Sequence, residues 1–268
     1  MATVSVNGIS FAYDERGDRA NPAIVFTHSL VWDREMFADV VADLADQFHI
    51  INLDQHGHGE SGYRASFTLE EMAEDYAALL DALGLESVHW AGLSMGGMTG
   101  MRLAIARPER VRSLVLMDTS SRPEMQERRA NYMQLADAIR AGMASAVVDQ
   151  VLPFFFAPST FANRPDLIAR YRDKFIAERD REGVYQASLA VFNRGDITDQ
   201  LEKIKAPTLV IVGEHDIATT PDRSQLIAER IPNARLVRIP NAAHMSATEQ
   251  PAMVANLIRE FIQSVEGS

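Results

Sequence analysis

Short apolar runs and amphipathic stretches alternate along the first 120 residues. The apolar runs at 23–26, 50–53 and 111–117 have the length of buried strands. An amphipathic stretch separates the first two runs, and a strand–helix–strand unit of this kind pairs its strands in parallel through a right-handed crossover. The chain begins differently, because Asn7-Gly8 between two alternating segments predicts a two-residue hairpin and therefore an antiparallel edge.

The alternation stops after the sixth predicted strand and resumes about 80 residues later. Residues 122–200 show helical periodicity and no strand pattern. Strand and helix patterns then return in the order 208–212, 222–230, 235–239 and 251–265. We predict an α/β fold with an eight-stranded, mostly parallel sheet. Its core consists of 1–121 and 201–268, and the helical cap 122–200 covers the carboxyl ends of the strands, where such sheets bind ligands.

Composition and charge limit the kinds of molecule that the protein is expected to bind. The 268 residues, 47% of them hydrophobic, fit one globular domain with an insertion. A formal net charge of −11 disfavours nucleic acids and anionic membrane surfaces, so a small molecule is the expected ligand. The absence of cysteine excludes disulfides and thiolate chemistry. With no signal-peptide pattern and no apolar run of about 20 residues, a cytoplasmic protein is expected. Homo-oligomer formation is left open.

A Gly-x-Ser-x-Gly motif centred on Ser94 follows one strand pattern and precedes a helical one. A serine at such a turn has a strained backbone, and the residues beside it must be small, as Gly92 and Gly96 are. The following helix directs its free N–H groups toward the same point, where they would stabilise an oxyanion. Ser94 is therefore the predicted nucleophile, and the Met95 N–H is the first predicted oxyanion donor.

A serine hydroxyl needs a base, and the base needs an acid that orients it. His244 lies between the last predicted strand and the last helix, and Asp216 directly follows the 208–212 strand. Ser94, Asp216 and His244 thus occur in the order nucleophile, acid, base. Asp118 also follows a strand and remains a competitor for the role of the acid.

Several other motifs have a simpler interpretation. Gly57, Gly59 and Gly62 match the spacing of a dinucleotide-binding motif, but no helix begins directly after them, as a pyrophosphate site requires. His56 and His58 with Asp54 lack an evident third and fourth partner for a metal site. We expect neither a metal nor a cofactor. The histidines outside the predicted triad that follow strands, His28, His56 and His58, are expected to shape turns and to hydrogen-bond loop carbonyls.

Five segments together resemble the α/β-hydrolase superfamily, and within it the branch of 3-oxoadipate enol-lactonases and related bacterial esterases. They are 54–61, 92–98, 108–116, 213–216 and 244–251. The resemblance covers essentially the whole chain and implies the same roles for Ser94, Asp216 and His244. It also implies that the loop after the 23–26 strand supplies the second oxyanion donor, by position the Leu30 N–H. In this loop Val31 replaces a residue that is usually small.

The predicted cap contains more large apolar side chains than packing between helices requires, so we expect a mainly apolar pocket. The candidate lining residues are Trp32, Met125, Tyr132, Phe154, Phe155 and Phe192. The cap arginines that could face inward are Arg128, Arg129, Arg140 and Arg194. An inward arginine would favour a carboxylate-bearing substrate such as an enol-lactone, and outward arginines would favour a plain ester.

These inferences predict a serine hydrolase that cleaves a carboxylic ester or lactone without a cofactor. The enzymatic alternative is a carbon–carbon bond hydrolase of ring-cleavage products, which uses the same three residues. The alternative from another class is a ligand-binding module that keeps this fold without turnover. Epoxide hydrolase and haloalkane dehalogenase chemistry is disfavoured, because both need a carboxylate in place of Ser94.

Overall fold

The computed structural model describes residues 1–177 and 179–267 and contains one sheet in this part of the chain. The sheet has eight strands in the order β1-β2-β4-β3-β5-β6-β7-β8, which confirms the predicted fold class. The strands are β1 Ala2–Val6, β2 Ile9–Arg16, β3 Ala23–Thr27, β4 His49–Leu53, β5 Val88–Leu93, β6 Val111–Met117, β7 Thr208–Gly213 and β8 Ala234–Ile239.

The antiparallel edge forms where the hairpin was predicted. Asn7 and Gly8 have φ values of 50° and 79°, which are those of a type I′ turn, and they bring Val6 opposite Ile9. β2 pairs antiparallel with β4 as well. All remaining strand pairs are parallel. The carboxyl ends of β3 to β8 consequently lie along one edge of the sheet.

Helices cover both faces of this sheet. Neighbouring residues of one strand point to opposite faces, so that Ile50 packs into one apolar core and Ile51 into the other. Burying each such side chain contributes roughly 1.5–3 kcal/mol. The helices of the core segments are α1 Ala38–Leu44, α2 Leu69–Ala82, α3 Met95–Ala106, α9 Pro221–Arg230, α10 Ser246–Glu249 and α11 Pro251–Glu266. Short 3₁₀ helices are found at Arg34–Phe37, Pro108–Arg110 and Thr198–Lys203.

The start of α2 illustrates how the sequence encodes a boundary. The Thr68 side chain accepts a hydrogen bond from the Glu71 N–H, and the Glu71 carboxylate accepts one from the Thr68 N–H. This reciprocal pair is the capping box that the sequence indicates. The helix ends before Gly84, whose φ of 71° is easily adopted only by glycine.

Five α-helices lie between β6 and β7 in the described part of the chain, within the span predicted for the cap. They are α4 Gln126–Arg140, α5 Ala144–Phe155, α6 Pro158–Asn163, α7 Pro165–Ile176 and α8 Arg181–Phe192. α4 packs mainly on α8, and α5 packs on α7. Across 1–177 and 179–267, no helix is both long enough and apolar enough to cross a membrane.

Candidate active site

Ser94 occupies the sharp turn between β5 and α3. Its φ of 54° and ψ of −110° are strained for a residue with a side chain, at a cost of about 1–3 kcal/mol. The turn is possible because Gly92 and Gly96 lack side chains. A Cβ on Gly92 would lie 2.3 Å from the Gly96 carbonyl carbon, and a Cβ on Gly96 would lie 2.2 Å from the Thr27 oxygen. The Thr119 hydroxyl holds the turn by donating to the Ser94 carbonyl at 2.7 Å.

His244 and Asp216 form a buried pair at the ends of β8 and β7. His244 Nδ1 lies 2.9 Å from Asp216 Oδ2, and both side chains are almost fully inaccessible to solvent. The other carboxylate oxygen, Oδ1, accepts hydrogen bonds from the Ala218 and Thr219 N–H groups. Because the carboxylate accepts the Nδ1 proton, the Nε2 lone pair of His244 is free to take a proton.

Ser94 and His244 line the same cavity. Within the described chain, the Ser94 hydroxyl forms no hydrogen bond with His244 or with any other residue. Catalytic hydrogen bonds are often long before substrate binds, so this gap is compatible with a nucleophile and its base. The amides of Met95 and Leu30 likewise donate to no acceptor among residues 1–177 and 179–267, and Leu30 also lines the cavity.

Asp118, the competing acid, contacts other groups. Its Oδ1 accepts from the Gly213 N–H at 2.8 Å, and its Oδ2 accepts from the Ser246 hydroxyl at 2.5 Å. No hydrogen bond between Asp118 and His244 is present in the described residues. Burial, and secondarily the nearby Asp216 carboxylate, raise the pKa of Asp118 well above its usual range. The geometry therefore brings Asp216, and not Asp118, to the imidazole.

The loop after β3 carries a second strained residue, Val31. Its φ of 66° lies in the left-handed region, which β-branched residues almost never adopt. The neighbouring histidine of this loop, His28, is buried and bonded on both ring nitrogens. Its Nδ1 lies 2.7 Å from the Ser29 carbonyl, and its Nε2 accepts from the Gln55 N–H. Burial lowers the pKa of His28, which keeps the ring neutral in this arrangement.

The cavity beside Ser94 encloses about 750 Å³ of unfilled space, including its open mouth. Four of the six candidate pocket residues line it, namely Tyr132, Phe154, Phe155 and Phe192. Trp32 and Met125 do not, so their placement in the pocket was wrong. Trp32 is only 2% exposed because it packs against Phe155, Tyr171 and Phe175. Met125 is 60% exposed because it precedes α4 on the outside of the cap.

The lining of this mainly apolar cavity includes charged side chains. Of the four candidate cap arginines, only Arg194 lines the cavity, together with Glu124. Arg194 Nε and Nη1 donate to the Arg122 and Val191 carbonyls, whereas the buried Nη2 makes no hydrogen bond. Glu124 Oε2 lies 3.8 Å from Nη2. Burial lowers the pKa of Arg194 to about 10, so that the side chain stays cationic at neutral pH.

The other three candidate arginines do not line the cavity. Arg128 donates to the Tyr132 hydroxyl and to the Ile217 carbonyl. Arg129 is exposed and donates to the Phe192 carbonyl. Arg140 pairs with Glu182 and lies over the Tyr185 ring.

Two residues that hold the Asp216–His244 pair and the His244 loop were not predicted from the sequence. The Thr219 hydroxyl donates to Asp216 Oδ2 at 2.8 Å and lies 3.2 Å from His244 Nδ1. The buried Glu249 carboxylate accepts from the Ala243 N–H on one oxygen and from the Ala157 N–H on the other. It thereby joins the His244 loop to the cap. The only sequence signal was that Glu249 lies five residues after His244 in a resembling segment.

The residues that the sequence analysis considered for a metal or nucleotide site contact other protein groups in the structure. Asp54 pairs with Arg34, His56 Nε2 lies 2.9 Å from an Asp75 oxygen, and His58 bonds to loop backbone. Gly57 lies against Gly183 of α8, where a Cβ would come within 2.5 Å of a carbonyl oxygen. Among residues 1–177 and 179–267, no three His, Asp or Glu side chains are grouped to hold a metal ion.

Known proteins are similar to this chain over nearly its full length. A family described as having the alpha/beta hydrolase fold matches residues 22–251. A 3-oxoadipate enol-lactonase of Acinetobacter baylyi is 28% identical over 260 residues, which cover 97% of this chain and 95% of the relative.

Two solved structures show the same likeness in three dimensions. A thermophilic esterase of Thermogutta terrifontis, solved with malate bound, is 32% identical and superposes with a TM-score of 0.92, covering 99% of both chains. An enol-lactonase of Burkholderia xenovorans is 32% identical with a TM-score of 0.90, covering 98% of this chain and all of that one.

Proposed function

The chain belongs to the α/β-hydrolase family, and from that premise we propose that it is a serine hydrolase that cleaves a carboxylic ester or lactone without a cofactor. The observation that carries the proposal is the hydrogen bond between His244 and Asp216 beside a strained, cavity-facing Ser94. The ester- and lactone-hydrolysing relatives at 28–32% identity support the same reaction class.

In the first half-reaction, Ser94 Oγ attacks the carbonyl carbon and its proton passes to His244 Nε2. Negative charge develops on the carbonyl oxygen, and the Met95 and Leu30 N–H groups stabilise it. The carbon–oxygen bond of the ester then breaks, and the leaving oxygen takes the proton from His244. In a lactone, this hydroxyl stays attached to the acyl group.

In the second half-reaction, His244 accepts a proton from water, and the hydroxide equivalent attacks the acyl carbon on Ser94. The bond to Ser94 Oγ breaks and the serine recovers its proton, so that a carboxylic acid is released. Throughout, Asp216 keeps its charge and stabilises the imidazolium, while Thr219 fixes the carboxylate orientation.

The covalent step can be tested with a fluorophosphonate probe and a 4-nitrophenyl ester. We expect stoichiometric labelling that peptide mass spectrometry assigns to Ser94, and a burst of 4-nitrophenol of one equivalent per chain. Denatured protein is the control and should not be labelled. Labelling at another serine would overturn the assignment, and a folded protein with neither labelling nor turnover would favour the ligand-binding alternative.

The charged residues of the cavity lining bear on the substrate class. Glu124 is surrounded by three guanidinium groups, since Arg223 Nη2 lies at 3.0 Å, Arg128 Nε at 3.7 Å and Arg194 Nη2 at 3.8 Å. The cluster therefore carries a net charge of about +2 in a chain that is acidic overall. We propose that the substrate carries an anionic group, such as a carboxylate, that pairs with Nη2 of Arg194, which makes no hydrogen bond within the described residues.

This proposal predicts that charge decides substrate preference. Wild-type enzyme should hydrolyse 4-nitrophenyl hemisuccinate or hemiglutarate with a higher kcat/KM than neutral esters of the same length. Arg194→Met should lower kcat/KM for the anionic esters by about 10- to 100-fold, mainly through KM, because a hydrogen bond to a charged group is lost. The neutral esters should change by less than about threefold.

Two further variants make the result specific. Glu124→Gln frees Arg194 from its nearest anion, so kcat/KM for the anionic esters should rise. Arg129→Met, on the exposed side of α4, is the matched control and should change neither ester class. Equal losses on both ester classes in Arg194→Met would show that Arg194 only supports the cap, and a wild-type preference for neutral esters would exclude the anionic substrate.

A further inference from the structure

The strained Val31 adjoins Leu30, whose amide is the second oxyanion donor of the proposed mechanism. A φ of 66° is energetically unfavourable for valine, because its Cβ crowds the backbone in the left-handed region. Many alternative backbone conformations with negative φ are available to a loop residue. Something outside the loop must therefore hold Val31 in place.

Both backbone polar groups of Val31 are bonded to side chains from other segments. Its N–H donates to His58 Nε2 at 3.0 Å, and its carbonyl accepts from Arg179 Nη1 at 2.8 Å. His58 belongs to the core turn that follows β4. Arg179 precedes α8 and therefore belongs to the cap side of the site. Val31 is thus held from the core and from the cap at the same time.

Each of the two side chains is itself fixed. His58 Nδ1 donates to the His56 carbonyl at 2.9 Å, which leaves Nε2 as an acceptor for the Val31 N–H. Arg179 donates to the Lys174 and Phe175 carbonyls at the end of α7. Its guanidinium also lies 5.2 Å from the centre of the Phe175 ring. Neither side chain can leave Val31 without breaking these other contacts.

We propose that His58 and Arg179 are positioning residues that hold Val31 in its left-handed conformation and so direct the Leu30 N–H at the substrate carbonyl. The inference rests on the proposed function, in which Leu30 supplies an oxyanion donor. The position of the cap and the formation of the oxyanion hole are then coupled through Val31. Displacing Arg179 would allow Val31 to relax and would turn the Leu30 amide away.

The test uses glycine, which adopts positive φ without strain and should no longer need the two side chains. His58→Leu and Arg179→Met should each lower kcat by about 10- to 100-fold with KM within about threefold, because a donor used in the transition state is misplaced. Val31→Gly alone should change kcat by less than about threefold. Combined with either variant, it should restore most of the lost kcat.

Three readouts separate positioning from simple damage to the fold. Affinity for a trifluoromethyl ketone, which forms an oxyanion on Ser94, should fall in parallel with kcat and recover with Val31→Gly. Hydrogen exchange of segment 28–33 should become faster in His58→Leu, whether or not the ester assay succeeds. His58→Gln, which keeps an acceptor, should retain most of the activity.

The matched controls are a buried histidine and a cap arginine away from this loop. His49→Leu removes a buried histidine that pairs with Glu15, and Arg172→Met removes an arginine of α7 that pairs with Asp149. Neither should change kcat. The proposal is overturned if Val31→Gly restores kcat in neither background while the variants keep the wild-type unfolding midpoint. Wild-type turnover with Ser94 labelling keeps the proposed function intact in that case.

Discussion

Replacing Ser94 with alanine is expected to lower kcat on a 4-nitrophenyl ester by about 10⁵- to 10⁶-fold and to abolish the burst. The loss should be this large because no acyl-enzyme can form, and only binding and oxyanion stabilisation remain to assist attack by water. The dissociation constant of the ester should change little, since the hydroxyl occupies a small part of the cavity. Stopped-flow and steady-state assays on the purified variant measure both quantities.

The cavity offers a matched serine for this experiment. Ser188 of α8 lines the same cavity, but its hydroxyl donates to the Val184 carbonyl at 2.8 Å. Ser188→Ala should therefore keep kcat within about threefold of the wild-type value. Equal losses in the two variants, or steady turnover in Ser94→Ala, would remove Ser94 from the mechanism.

The second large effect concerns the two buried aspartates. Asp216→Asn should lower kcat by about 10³- to 10⁴-fold, because an amide in that place favours the wrong tautomer of His244. Asp118→Asn should stay within about threefold, since Asp118 contacts Gly213 and Ser246 instead of the imidazole. The kcat values of the two variants on one ester decide between the acids that the sequence leaves open.

Stability gives an independent check on Asp118. Its pKa is raised in the folded protein above the ordinary value of 3.8, so its contribution to stability is fully present below pH 3.8 and is lost as the pH rises through the folded pKa. Asp118→Asn removes this dependence and should gain stability relative to wild type as the pH rises above 3.8. Urea unfolding at several pH values measures the difference, and a constant difference would contradict the raised pKa.

Several parts of the fold and of the site could be predicted from local patterns. Hydrophobic periodicity was sufficient to predict the strands and the helical span between β6 and β7, because each element buries one or both of its faces. The proximity of Asp216 to His244 followed from the sheet itself. Residues that directly follow parallel strands meet at one edge, however far apart they are in the chain.

The parts that failed depend on how side chains are oriented in the cap and in the core loop that packs against it. Trp32 and Met125 are as apolar as the residues that do line the cavity, so hydrophobicity does not separate the two groups. Trp32 is kept out of the cavity lining because α5 and α7 pack against it. The same holds for the four candidate arginines, all of which lie on or beside amphipathic helices. Arg194 differs from the others because it donates hydrogen bonds to the Arg122 and Val191 carbonyls. The periodicity of the sequence does not predict such contacts.

The double attachment of Glu249 has a consequence for how such enzymes diversify. Its carboxylate bridges the Ala243 amide of the histidine loop and the Ala157 amide of the cap, and burial raises its pKa. Cap and core of this chain are therefore not interchangeable modules. A chimera that received a foreign cap would leave this buried acid without one of its donors, so we expect recombination between relatives to carry the cap together with the segment that contains His244.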